Sequence, residues 1–99
     1  MFDFIKKLFG GSTVNYSELI ENGAVIVDVR TPQEYRSGNI RGSLNIPLDQ
    51  LKGNLKKIKK DKPVIVCCAS GMRSGAAKGV LQSNGFTQVY NAGSWHKLT

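Results

Sequence analysis

The spacing of apolar residues changes several times along the chain, and each change marks an element. Residues 24–29, Ala-Val-Ile-Val-Asp-Val, form a β-branched run between Gly23 and the Thr31-Pro32 turn, the pattern of a strand buried on both faces. Residues 43–46 predict a short strand stopped by Pro47, Pro63 opens another over 64–67 or 64–68, and residues 88–91 read as a last one. Between these runs the spacing becomes helical. Asn15 with Glu18 three residues on predicts a capped helix carrying Leu19 and Ile20 and ended by Gly23. Thr31, Pro32 and Glu34 supply the N-cap, N1 and N3 positions of a second short helix, closed by Gly38. Leu48, Leu51, Leu55 and Ile58 predict an amphipathic helix over 48–58, and Ala76, Ala77, Val80 and Leu81 mark another over 73–84 with Gly85 as its C′ residue. Apolar strands alternating with helices predict an α/β domain whose mainly parallel sheet is covered on both faces. In such sheets sites form beyond the carboxyl ends of the strands, where Cys68 falls.

At 99 residues the chain holds one domain, taken as residues 15–99, after an extension over 1–14 that is either a short helix with Phe2, Ile5 and Phe9 on one face or frayed. Its composition, 40% hydrophobic and 21% charged, is that of a globular protein. Cys67 and Cys68 are neighbours and cannot staple a loop, which indicates a reducing compartment. No apolar stretch approaches the roughly 20 residues of a membrane span, and the opening lacks a signal-peptide pattern, so a cytoplasmic protein is expected. The net charge of +7 leans on residues 52–62, which carry six of the fourteen basic residues. Lys52, Lys56, Lys57, Lys59 and Lys60 mostly fall opposite the apolar stripe and read as a solvated face, not a nucleic-acid site. That face offers charge for docking an acidic partner.

The chemistry lies in Val64-Ile-Val-Cys-Cys-Ala-Ser-Gly-Met-Arg-Ser74. A thiol becomes a nucleophile as its thiolate, and its pKa drops beside a helix N-terminus, backbone amides or a cation. Cys68 ends a strand, Ser70 and Gly71 permit a tight turn with inward amides, and Arg73 begins the next helix. Strand alternation sends adjacent side chains to opposite faces, so Cys67 is read as a small buried hydrophobe and Cys68 as the reactive thiol. Two adjacent cysteines with a distant His96 make no zinc ligand set, and no metal is expected.

Cys68-Ala-Ser-Gly-Met-Arg-Ser74 resembles the active-site loop of rhodanese-type sulfurtransferases, with Gly three positions and Arg five positions after the cysteine. Asp28-Val-Arg30, Glu34-Tyr35, Gly38-Asn-Ile-Arg-Gly-Ser43 and Asn45-Ile-Pro47 are similar to the family's upstream stretch, and Val89-Tyr-Asn91 with Gly93-Ser-Trp95 to its downstream one. The resemblance covers about residues 15 to 95. It implies a rhodanese-like α/β fold with a central, mostly parallel five-stranded sheet. It also implies that Cys68 takes a sulfane sulfur from a donor such as thiosulfate or a persulfide and passes it to cyanide or a thiol, with no cofactor. On this reading Cys68 and Arg73 are catalytic, Ala69, Ser70, Gly71, Met72 and Ser74 form the substrate-binding loop, and Asp28 and Arg30 support it from beneath.

Three departures from the family pattern, Asn39 for His, Ser43 for Ala and Ser94 for Gly, read as scaffold variation. The loop holds no positive charge besides Arg73, so thiosulfate is expected to be a usable rather than a preferred donor, and a protein sulfur acceptor is allowed. Two other readings stand beside the enzyme. Inactive rhodanese-like binding modules commonly lack the cysteine, which is present here. Related Cys-dependent phosphatases and arsenate reductases use the same nucleophile, but those phosphatases place five residues between Cys and Arg where this loop has four. Glu34 is read as a helix cap, Trp95 as core cover, and His96 as exposed; Met72 is either an apolar lip or packed inward.

Overall fold

A computed structural model describes residues 14–99. The extension expected over 1–14 lies outside them except for its last residue. In chain order the elements are α1 (Tyr16–Glu21), β1 (Val25–Asp28), α2 (Pro32–Arg36), β2 (Leu44–Asn45), β3 (Val64–Cys68), α3 (Met72–Ser83) and β4 (Val89–Ser94). Three 3₁₀ segments, Leu48–Gln50, Lys52–Lys57 and Trp95–Leu98, complete the elements of the described residues. The strands pair in the order β2-β1-β3-β4 and every pair is parallel. Among the described residues the sheet therefore has four strands, not the five expected. The described apolar runs long enough for a strand are already in it, and two-residue β2 closes one edge.

Period-two alternation in β3 divides the core. Val64, Val66 and Cys68 join Val27, Val29, Leu51, Ile58, Ala77 and Leu81 on one face. Ile65 and Cys67 join Ile26 and Ala92 on the other, against α1 and the Trp95–Leu98 segment. Helical segments thus cover both faces of the sheet. None of the described helices is long and apolar enough to cross a membrane.

The amphipathic helix expected over 48–58 is instead two 3₁₀ segments, with Asn54 at φ −126 inside the second. Gly53 and Asn54 are poor helix formers, and the Asn54 Nδ2 donates to the Gln50 carbonyl at 2.7 Å, breaking the regular ladder. The burial pattern survives the change of geometry. Leu51 and Ile58 are buried, Leu48 and Leu55 pack on the same cluster, and Lys52, Lys56, Lys57, Lys59 and Lys60 are exposed. At the other end β4 runs to Ser94, further than expected, and carries one extra residue between Asn91, opposite Val66, and Gly93, opposite Cys67.

The carboxyl end of β1 is braced by a buried ion pair. Arg30 Nε donates to both oxygens of Asp28 at 2.9 and 3.0 Å, and Nη2 donates to Oδ2 at 2.7 Å. The remaining guanidinium hydrogens reach the carbonyls of Glu34 at 3.2 Å and Gly38 at 2.7 Å, tying β1 to the far end of α2. Trp95 stacks over the guanidinium, 4.6 Å from ring centroid to carbon. Gly38 permits this arrangement, because a Cβ there would approach the Trp95 ring to 3.0 Å. Asp28 and Arg30 thus pair with each other at the end of β1. Removing one partner strands the other's charge in the interior, so Arg30→Met is expected to destabilise the domain by about 3–5 kcal/mol in urea unfolding. A loss under about 1 kcal/mol would show that the brace is not needed.

Candidate active site

Three elements meet at the carboxyl end of β3. Cys68 ends the strand, fully buried at the floor of a loop whose rim residues, Ala69, Ser70 and Met72, are exposed; Met72 projects outward at 85% exposure. Gly71 turns the chain into α3 with φ +106, a backbone conformation that costs an L side chain roughly 1–2 kcal/mol. That turn aims the Gly71 N–H at the Cys68 Sγ, 2.9 Å away. Ser74, buried in the first turn of α3, places its Oγ 3.4 Å from the same sulfur. Burial pushes the Cys68 thiol up, but hydrogen bonds from the Ser74 hydroxyl and from the amides of Ser74, Gly71 and Ser70 outweigh it and leave the thiol below its ordinary value.

Cys67 shows the opposite outcome one residue away. It faces the other core cluster, where burial and the nearby Asp28 carboxylate push its thiol up to about 12. The thiol is inert at neutral pH, as befits a core residue.

Arg73 does not hydrogen-bond the sulfur. Its Nη1 and Nη2 donate to the two Glu34 oxygens at 2.7 and 3.0 Å, a bidentate pair between α3 and α2. Glu34 also accepts the Thr31 N–H at 2.9 Å in a full capping box, so the helix cap read from sequence is real but incomplete. Arg73 first and the Thr31 amide second hold its carboxyl down to about 2. The charge of Arg73 is therefore matched at neutral pH and acts on the sulfur through space. Asn91, given no role from sequence, accepts the Ser74 hydroxyl at 2.6 Å and the Gly93 N–H at 2.9 Å through Oδ1. An Asn two residues before a glycine is a local side-chain-to-backbone signal, but its reach to Ser74 depends on the β3–β4 pairing.

A cleft of about 360 Å³ opens beside Arg73, lined by Val29, Thr31, Pro47, Leu48 and Asp49. Two lysines of the basic stretch lie elsewhere. Lys60 Nζ stands over Phe86 and Lys62 Nζ beside Gly23, near the amino ends of β4 and β1, at the pole opposite Cys68. The three departures from the family pattern each make a local bond: Asn39 to the Tyr35 carbonyl, Ser43 to Tyr35 and Ile40, and Ser94 to the His96 amide.

The rhodanese-like domain matches residues 12–98. The chain belongs to this family. It is 41% identical over 69 residues to thiosulfate sulfurtransferase PspE of Escherichia coli, covering 68% of this chain and 66% of that protein. It is 47% identical over 68 residues to the uncharacterized protein YqhL of Bacillus subtilis, covering 69% of this chain and 54% of that one. The chain thus spans between about half and two thirds of these relatives' lengths. A solved rhodanese with anions from E. coli superposes with TM-score 0.71 at 35% identity, covering 76% of this chain and 91% of that one.

The split between the two cysteines is measurable by alkylation. Iodoacetamide is expected to label Cys68 with a pH midpoint below that of an ordinary thiol, and Ser74→Ala to move the midpoint up by removing one donor. Cys67 should stay unlabelled until the domain unfolds. Peptide mapping that finds Cys67 labelled first in the folded protein would reverse the assignment.

Proposed function

We propose that this rhodanese-like domain is a sulfurtransferase in which Cys68 carries the sulfur. The observation that supports this most directly is the Gly71 amide on the Cys68 Sγ at the floor of a four-residue loop. Amide hydrogens directed at one buried sulfur favour its anion.

The reaction has two half-steps. The Cys68 thiolate attacks the outer sulfur of thiosulfate, an S–S bond forms to Sγ, and the bond to the sulfonate sulfur breaks with its electron pair leaving as sulfite. A thiophilic acceptor, cyanide or a thiolate, then attacks the outer sulfur of the persulfide. Thiocyanate or a new persulfide departs and the thiolate is restored on Cys68. Ala69 to Arg73 frame the entrance through which donor and acceptor reach the buried sulfur, and the cleft beside Arg73 offers an apolar wall for an acceptor's stem. No cofactor takes part in either half-step.

Arg73 is matched by Glu34, which leaves little free positive charge to favour a dianionic donor. An alkyl persulfide should therefore be at least as good a donor as thiosulfate. Lys60 and Lys62 lie at the far pole from the sulfur, so a protein acceptor would dock on the exposed rim around Met72.

Initial rates of thiocyanate formation should give parallel double-reciprocal lines when both substrates are varied, and Cys68→Ser should lose at least about a thousandfold in kcat. Intersecting lines together with an active Cys68→Ser protein would refute the covalent route. Faster turnover of an aryl phosphate than of any sulfur donor would favour phosphatase chemistry instead.

A further inference from the structure

Ser74 has one hydroxyl hydrogen and three acceptors within reach. Asn91 Oδ1 lies 2.6 Å from its Oγ, the Gly71 carbonyl 3.1 Å, and the Cys68 Sγ 3.4 Å. The orientation of the Asn91 amide is fixed by a donor, because the Gly93 N–H at 2.9 Å requires an acceptor and so places Oδ1, not Nδ2, at this corner. Asn91 Oδ1 cannot donate, so the shortest of the three contacts must use the Ser74 hydrogen. With that hydrogen engaged, the Ser74 oxygen presents lone pairs to Cys68 and accepts from its S–H. Cys68 S–H to Ser74 O–H to Asn91 Oδ1 is therefore the arrangement of the neutral thiol.

We propose that Asn91 is a positioning residue for the nucleophile: it competes with the sulfur for the Ser74 hydrogen and so sets how strongly Ser74 stabilises the Cys68 thiolate. When the thiol ionises, Sγ has no hydrogen to give and becomes an acceptor. The Ser74 hydroxyl then rotates from Asn91 to the sulfur, and the Gly93 N–H remains on Oδ1. When Cys68 becomes a persulfide, the negative charge lies on the outer sulfur and the hydrogen returns to Asn91. It is drawn back as an acceptor removes the outer sulfur and charge develops on Sγ, which is where catalysis gains from it. Two features of the fold hold the arrangement. The extra residue of β4 follows Asn91, and Gly75 of α3 leaves open the space beside Nδ2, which lies 3.6 Å from where a Cβ would stand.

Other charged or titratable groups face this corner without holding the hydrogen. Arg73 lies on the same helix and is paired with Glu34 of α2, Cys67 adjoins in β3, and the Asp28–Arg30 pair lies at the end of β1. Lys97 Nζ stands 3.8 Å from where a Cβ on Gly93 would be, and the Tyr16 hydroxyl of α1 donates to the Asn91 backbone carbonyl at 3.3 Å. None of these groups is itself altered in the Asn91 and Ser74 variants, so a shift that requires the Ser74 hydroxyl is separable from their fields.

The inference deepens the proposed function and rests on Cys68 being its nucleophile, yet its test needs no sulfur transfer. The thiolate of the whole protein is titrated by its ultraviolet absorbance and by iodoacetamide rate against pH, so a failed sulfur donor and a failed hydrogen-bond switch give different results. Asn91 is exposed, and Asn91→Ala should fold. It is expected to lower the Cys68 midpoint by at least about half a pH unit, a threefold gain in thiolate below the midpoint. Asn91→Asp keeps the acceptor for Gly93 and grips the Ser74 hydrogen harder, and should raise the midpoint. In the Ser74→Ala background the Asn91→Ala shift should vanish and the Asn91→Asp shift should shrink. A midpoint unchanged or raised in Asn91→Ala, or shifts that persist undiminished without the Ser74 hydroxyl, would overturn the proposal and leave Asn91 as a brace for the β4 bulge.

Discussion

The site depends on one hydrogen bond, from the Gly71 amide to the Cys68 sulfur at 2.9 Å. A buried sulfur would ordinarily hold its proton, since burial disfavours the charged form. Here the chain leaves β3 and enters α3 through a left-handed glycine, and that turn directs backbone hydrogens inward at the point where the strand ends. A side chain at Gly71 would strain the turn through φ, and the Ser74 hydroxyl beneath the sulfur depends on the same entry into the helix. The anion-stabilising loop is thus a property of backbone direction, and the side chains refine it.

What keeps the loop in place is a chain of charge-assisted contacts running below it. Asp28 holds Arg30, Arg30 holds the carbonyls of Glu34 and Gly38, and the Glu34 carboxylate holds Arg73 at the start of α3. The first pair is buried and rigid, while the last is about one third exposed on each side and adds orientation more than stability. β1 and β3 already pair side by side, and this chain ties α2 and α3 to their carboxyl ends. Arg73 accordingly acts as a latch between two helices as well as a positive charge near the sulfur.

Local patterns carried much of this. The strand runs at 24–29 and 64–68, the Thr31–Glu34 capping box and the helix of Ala76, Ala77, Val80 and Leu81 are all decided by neighbours in sequence, and the structure forms elements there. The opposite environments of Cys67 and Cys68 follow from strand alternation alone. Helical spacing at residues 48–58 identified the inward-facing residues but not the backbone, because Gly53 and Asn54 break a helix whose stripe is otherwise intact. Glu34 and Asn91 were not legible as partners of the site. Each satisfies a local bond that explains its presence, and the second partner, 39 residues away for Glu34 and 17 for Asn91, appears only once the sheet brings its strands together.

Sulfur carriage by Cys68 between two substrates is measured directly by intact mass after incubation with thiosulfate, and again after cyanide, for the protein and for Cys68→Ser. The expected result is a gain of one sulfur atom that cyanide removes and that the variant never shows. A protein that turns over thiosulfate or a persulfide with no such adduct, or a Cys68→Ser variant that still gains one, would contradict it.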